Sequence, residues 1–245
     1  LLYTGRDSNN ISVMGNYFYK PDKGALYFGG DLLYIKNNYL NTITLRTKGT
    51  SYIINNYIYN CFLYAIQIDT PFTQNNYSYI ENNHIGNCHT GITGMTMSIK
   101  NCTIINCSRG IEPNGQKLFI ENVSIYNCST GFFTSISSRK ESVVLNITIE
   151  NCHNEGMKFR KEDIRGDLII NNAVLKNNTV GISMYYSKGI KILNSLIDNN
   201  TYKGIEMAQT TDSSIKNNTI INNDIGMELR DESENNQMGA FPKTR

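Results

Sequence analysis

The sequence predicts an all-β fold: a right-handed, single-stranded parallel β-helix, a solenoid of about ten rungs. Three observations predict it. First, one phrase, I-x-N-x-x-I-x-N-[C/N]-x-x-G-I, returns along the chain. It stands as "SYIENNHIGNCHTGI" from Ser78, "SIKNCTIINCSRGI" from Ser98, "FIENVSIYNCSTGF" from Phe119, "IINNAVLKNNTVGI" from Ile169 and "SIKNNTIINNDIGM" from Ser214. Internal repetition of this period marks a solenoid. Second, apolar residues alternate over three or four positions and then break at Asn or Gly, so no helical stripe is present. Third, the composition is that of a ladder, with 35 Asn and 32 Ile in 245 residues.

Each rung reads as three short strands separated by sharp corners. The first strand ends on a residue that marks the register, Gly15 on the first rung and then Asn37, Asn55, Asn82, Asn101, Asn122, Asn146, Asn172, Asn194 and Asn217. Two residues before every mark stands Val or Ile, from Val13 to Ile215. β-Branched residues favour strands, and Asn tolerates the left-handed corner. The second strand centres three residues after the mark, on an apolar residue from Phe18 to Ile220. A second Asn corner follows, through Asn60, Asn87, Asn106, Asn127, Asn151, Asn177, Asn199 and Asn222. The third strand opens on Gly and an apolar residue, as at Gly91, Gly110, Gly131, Gly156, Gly181, Gly204 and Gly226. A loop of variable length comes next, since the marks lie 18 to 27 residues apart. The Asn at each mark is expected to be buried and to stack on its copy one rung away, so that amides satisfy one another. Handedness follows from the right-handed crossover rule. Residues 1–230 are expected to form one domain, with 231–245 a C-terminal tail or cap.

The net charge is +2 with both signs dispersed, which leaves no electrostatic footprint for nucleic acid. No apolar run approaches the roughly 18 residues of a membrane span. Five of six cysteines share one template position: Cys61, Cys88, Cys107, Cys128 and Cys152. Residues stacked in register aim their side chains in parallel, so a buried column of free thiols is expected. Glycosylation sequons recur, but all except Asn10 and Asn76 fall on column positions, which makes these two the candidate glycan acceptors. No metal site follows from the spacing of Cys and His. His84, His89 and His153 have no partners that would make a nucleophilic triad.

A β-helix interior is filled, so chemistry belongs on an outer face. The Gly-Ile strand beside the variable loop is the best candidate. Its outward residues include Asp69, Glu112, Phe133, Lys158, Arg160, Tyr185, Glu206, Glu228 and Arg230. Glu206 and Glu228 occupy one column on adjacent rungs. Two carboxylates so close raise one pKa, bind a cation, or work as an acid and nucleophile. Alternatively they splay into water, neutralised by Lys158, Arg160 and Arg230. Glu206, Glu228 and Lys158 are the candidate catalytic residues; the others, with Phe133 and Tyr185 as stacking platforms, are candidate substrate contacts.

"LLYTGRDSNNISVMGNYFYKPDKGALYFGGD", from Leu1, resembles a stretch of pectate lyases, and the likeness runs to about Ile85 through "RTKGTSYIINNYIYN" and "YIENNHI". The resemblance implies the β-helix fold, a polysaccharide substrate and a possible calcium ion. Lys23 matches the lysine of the family's H-D-K motif, and Arg46 is the nearest match to its arginine before a Gly, shifted by one. Tyr3 stands where the family's calcium-binding Asp belongs, and the segment with the catalytic Arg is missing. β-Elimination needs both calcium and that Arg. The expectation is therefore an extracellular or cell-surface protein that binds or processes carbohydrate; if it is an enzyme, it is a polysaccharide lyase or a glycoside hydrolase. The alternative is a structural solenoid of a surface layer, appendage or viral fibre, self-associating through its rod ends.

Overall fold

The computed structural model describes residues 2–3, 10–18, 26–28, 32–45, 49–69, 77–134, 141–160, 167–231 and 233–239. The described elements are strands, all paired in parallel, and they form a right-handed coil with three ladders running along its axis. The first ladder joins Ile11–Met14 to Leu32–Lys36, Thr50–Ile54 and Ser78–Glu81, and continues to Ser214–Lys216 and Gln237–Met238. Its register places Val13, Ile35, Ile53, Ile80, Ile99 and Ile120 on one another, and then Val144, Ile170, Ile192 and Ile215. This is the β-branched column of the repeat. The second ladder stacks Leu40, Ile58, Ile85, Ile104, Ile125, Ile149, Leu175, Ile197 and Ile220 in the same way. The third carries the Gly-Ile strands, from Tyr64–Ile68 through Thr130–Thr134, Glu155–Arg160, Val180–Tyr185 and Lys203–Ala208 to Ile225–Arg230.

Burial of these columns holds the coil together. Ile53, Ile58, Ile80, Ile85, Ile99 and Ile104 are fully buried, and each contributes about 1.5–3 kcal/mol on leaving water. All ten register marks have positive φ, from 50° to 68°, and so do all eight residues of the second Asn column. Asn adopts this left-handed conformation more readily than most side chains, which is why it occupies the corners.

The corner corrects one expectation. The left-handed residue interrupts the period of two, so the residues two before, one after and three after the mark point inward. The mark itself faces solvent. Asn122, Asn146 and Asn172 do pair with their copies, each Nδ2 donating to the Oδ1 of the rung before at 3.3, 3.0 and 2.7 Å, but on the exposed surface. The buried ladder belongs to the next residue. Asn38 Nδ2 donates to Asn56 Oδ1 at 3.1 Å, and Asn56 Nδ2 to Asn83 Oδ1 at 3.0 Å. Each also donates to the main-chain carbonyls of Val13 and Ile35, respectively, one rung back. A second Asn ladder, from buried Asn178 and Asn200 to half-buried Asn223, continues the cysteine column. The sequon asparagines on the marks are accordingly at the surface. Asn10 is exposed too, while Asn76 lies outside the described residues.

The cysteine column is also not uniform. Cys61 and Cys88 form a disulfide, with Cα atoms 4.5 Å apart. Cys102, Cys107, Cys128 and Cys152 are free and buried. Adjacent-rung spacing lies within disulfide range, so parallel aim does not exclude a bond at this pair. No described helix is long and apolar enough to cross a membrane.

Candidate functional site

The third ladder stacks the candidate residues in register. Its register runs Gln67, Thr93, Glu112 and, one rung on, Phe133, Lys158, Ser183, Glu206, Glu228. Two residues further along the strands, Arg160, Tyr185, Ala208 and Arg230 form a parallel row. Between them the inward residues Met157, Phe159, Ile182, Met184, Ile205 and Met207 fill the core. Alternation along the strand thus forces the polar and aromatic residues outward. Asp69 is half-buried, and Gln67 Nε2 donates to its carboxylate at 3.1 Å. Lys23 and Arg46 lie outside the described residues.

Glu206 and Glu228 are neighbours, as expected, but they are not a bare acid pair. Lys203 lies between them, 2% exposed, bonding the Glu206 carboxylate and lying 2.5 Å from Glu228 Oε2. The Arg230 guanidinium closes the other side, 2.7 Å from Glu228 and 3.8 Å from Glu206. The Tyr185 hydroxyl donates to Glu206 Oε2 at 2.6 Å. Burial pushes the Glu206 carboxyl up, but the bonds from Lys203 and Tyr185 and the nearby positive charges outweigh it, holding it below its usual value. Glu228 is held down by Arg230 first and Lys203 second. Burial lowers the Lys203 ammonium, yet its bonds to the two carboxylates leave it above its ordinary value. Burial and the bond to Glu206 raise the Tyr185 phenol.

Lys158 does not join this cluster. The rung of Ser183 separates it from Glu206, and its ammonium pairs with Glu155 at 2.5 Å. Here the strip opens into a recess of about 420 Å³, with Arg109, Thr130, Phe133, Asn154, Glu155 and Lys158 in its wall. The Arg109 guanidinium lies 4.7 Å from the centre of the Phe133 ring and pairs with Glu112 at 2.5 Å. Thr130 Oγ1 donates to Glu155 Oε2 at 3.0 Å.

Lys203, Arg109 and Glu155 are absent from the expected site. They share one signal: each stands just before the column Gly and pairs with the residue three further on. The motifs are Arg109-Gly110-Ile111-Glu112, Glu155-Gly156-Met157-Lys158 and Lys203-Gly204-Ile205-Glu206. A tyrosine ladder also emerges on the outer face of the first sheet, where Tyr34, Tyr52 and Tyr79 stack at 5.0 and 5.1 Å. Its signal is a Tyr three residues before the mark on three rungs.

The described carboxylates do not make a calcium site. Among the described residues no three or more His, Cys, Asp or Glu groups converge on one point. Glu206 and Glu228 already face two protein cations, which a divalent ion would have to displace.

The family profile described as a right-handed beta helix region matches residues 93–239. No curated protein matches the chain. Among solved structures, the chain is similar to the A-module of mannuronan C-5 epimerase AlgE6 from Azotobacter vinelandii. Identity is 11%, the TM-score is 0.50, and the match covers 99% of this chain and 76% of that one. The A-module of AlgE4 from the same organism gives 11% identity and a TM-score of 0.46, over 97% and 87% of the two chains. These likenesses concern the fold.

Proposed function

This chain belongs to the right-handed β-helix family, and on that premise we propose that it binds or processes a polysaccharide, outside the cell or at its surface. One observation carries the reading: a row of residues stacked in register from Gln67 to Arg230, in which Thr93, Ser183 and Glu206 are buried while Glu112, Phe133, Lys158, Glu228 and Arg230 reach the surface, with an aromatic-walled recess midway. A strip repeated rung by rung suits a repeating polymer. The AlgE6 A-module bears the name of an enzyme acting on mannuronan, which is consistent with this use of the fold.

We assign the strip to binding in the first place. A retaining or inverting glycosidase needs one carboxyl with a raised pKa as its acid. Glu206 and Glu228 are both held low, and both are paired with cations. Glu206, Glu228 and Arg230 then act as fixed hydrogen-bonding groups, with Lys158, Phe133, Glu112, Tyr185, Arg160 and Asp69 along the same path. The test is a panel of acidic and neutral polysaccharides, scored both for binding and for chain shortening. Binding without shortening is the expected result. Failure to bind any member would refute the reading, and shortening abolished by Glu206→Gln would restore a catalytic role.

A second reading, a structural rod that stacks end to end, is favoured by one position. Each column Gly from Gly91 to Gly204 is held by its neighbour: an added Cβ would sit 2.4–2.7 Å from the carbonyl oxygen of the next Gly. At Gly226 the nearest described atom is Ile220 Cγ2, at 3.9 Å. Nothing described there requires glycine, unless another rung lies above it. Sedimentation across a concentration series tests this. Assembly that Gly226→Val abolishes supports a stacking rod; a monomer at every concentration refutes it.

A further inference from the structure

We infer that the strip takes an electrically neutral glycan, not a polymer of uronic acids. This rests on the carbohydrate reading above and names its substrate class. The argument is one of charge. Arg109 is paired with Glu112, Lys158 with Glu155, Lys203 with Glu206 and Glu228, and Arg230 with Glu228. Among the described residues of the strip, four paired cations therefore face four carboxylates, and these sum to zero. Arg160 and Asp69 add one charge of each sign. A polyuronate brings a negative charge on every sugar. A cleft that selects it gathers cations of one sign to focus its field. Here an incoming carboxylate would meet a cation whose own partner carboxylate stands beside it. It would have to break that pair or lie against its like charge.

The same pairs suit hydroxyl groups. An ion-paired guanidinium or carboxylate keeps further donor and acceptor positions in a fixed fork. Glu155 is held from two sides, by Lys158 and by the Thr130 hydroxyl. Phe133 gives the wall an apolar surface, braced by Arg109. At about 420 Å³ the recess lies within the usual size of small-ligand sites.

The experiment is calorimetric titration of the full chain with an uncharged glucan, an uncharged mannan, polygalacturonate and alginate, at about 20 and 300 mM salt, either side of strong screening. An uncharged polymer should bind with affinity unchanged within about two-fold between the two salts, and both polyuronates should fail. Phe133→Ala and, separately, Asn154→Ala should each weaken binding by about ten-fold. Asn154 is exposed, so its variant guards against a misfolded Phe133→Ala. Polyuronate binding that fades with salt, with both neutral polymers inert, overturns this inference and leaves the carbohydrate reading standing. Neutral binding indifferent to both variants overturns the assignment to the recess. Binding of no polymer overturns the carbohydrate reading itself.

Discussion

Lys203 is the residue on which the C-terminal end of the strip turns. Its side chain is 2% exposed and contacts both Glu206 and Glu228. A buried cation of this kind is costly to desolvate, and removing it strands the carboxylates that were built around it. Lys203→Met should lower the unfolding free energy in urea at neutral pH by about 3 kcal/mol. Adding Glu206→Gln in the same chain should recover more than half, because the more deeply buried of the two stranded charges is then gone. A single variant within about 0.5 kcal/mol of the parent would show that the cluster holds nothing. The free thiols give a second prediction. All four are buried; burial pushes Cys102 up to about 11 and Cys152 up to about 12, whereas the bond from the Cys107 thiol holds Cys128 below its ordinary value, so closed access and not thiolate content alone keeps the column unreactive. An aromatic disulfide reagent at neutral pH should leave the folded chain untouched and titrate four thiols once denaturant is added, matching the four free cysteines. Rapid titration of the native protein would mean that the column is open.

At the scale of the element, the column glycines set how closely rungs approach. A Cβ on Gly110 would lie 2.4 Å from the Gly131 carbonyl oxygen and 2.7 Å from Ile125 Cγ2; neither atom is the end of a flexible chain. Gly110→Ala should therefore cost about 2–3 kcal/mol, measured as a shift in the urea midpoint at constant slope. Gly226→Ala meets no such contact and should be neutral or slightly stabilising, since Ala restricts the unfolded chain. Equal losses at the two sites would dismiss the carbonyl contact as the cause. These elements were legible in the sequence because period and residue type agree: β-branched Ile inside, Asn at the corner, Gly where backbones touch. The strip from Phe133 to Arg230 was legible by the same alternation. The side of the corner on which Asn is buried was not, because the left-handed residue breaks the alternation, and the repeat shows both Asn positions alike. Lys203 was hidden for a related reason. It precedes the Gly, at a position that runs Thr90, Arg109, Thr130, Glu155 and Val180 on the rungs before it, so the charge stands out only when each residue is read together with its partner three further on. The Cys61–Cys88 bond depends on local aim, which register alone does not supply.

The whole molecule is quasi-one-dimensional: each rung touches only the rungs above and below it. Local electrostatics should then have local consequences. Glu206 and Glu228 lie on the last two described rungs of the third ladder, and both carboxyls are held below the ordinary value of 4.5. A depressed folded pKa contributes stability that is fully present above the unfolded value and is lost as pH falls through the folded one. From pH 7 down to about 5 this contribution should stay constant; below about 4.5 it should fall away as the unfolded chain, and then the folded one, takes up protons. The loss acts on the strands Lys203–Ala208 and Ile225–Arg230, of which the second has a described neighbour on one side only. Hydrogen exchange, corrected for intrinsic rates, should show these strands losing protection near pH 3 while residues 92–126 keep theirs. The Glu206→Gln variant should narrow the difference between pH 6 and pH 3, because it no longer binds a proton at that site. If every rung lost protection together, coupling along the axis would exceed the single-rung range of the contacts, and the acid response would belong to the rod as one cooperative unit.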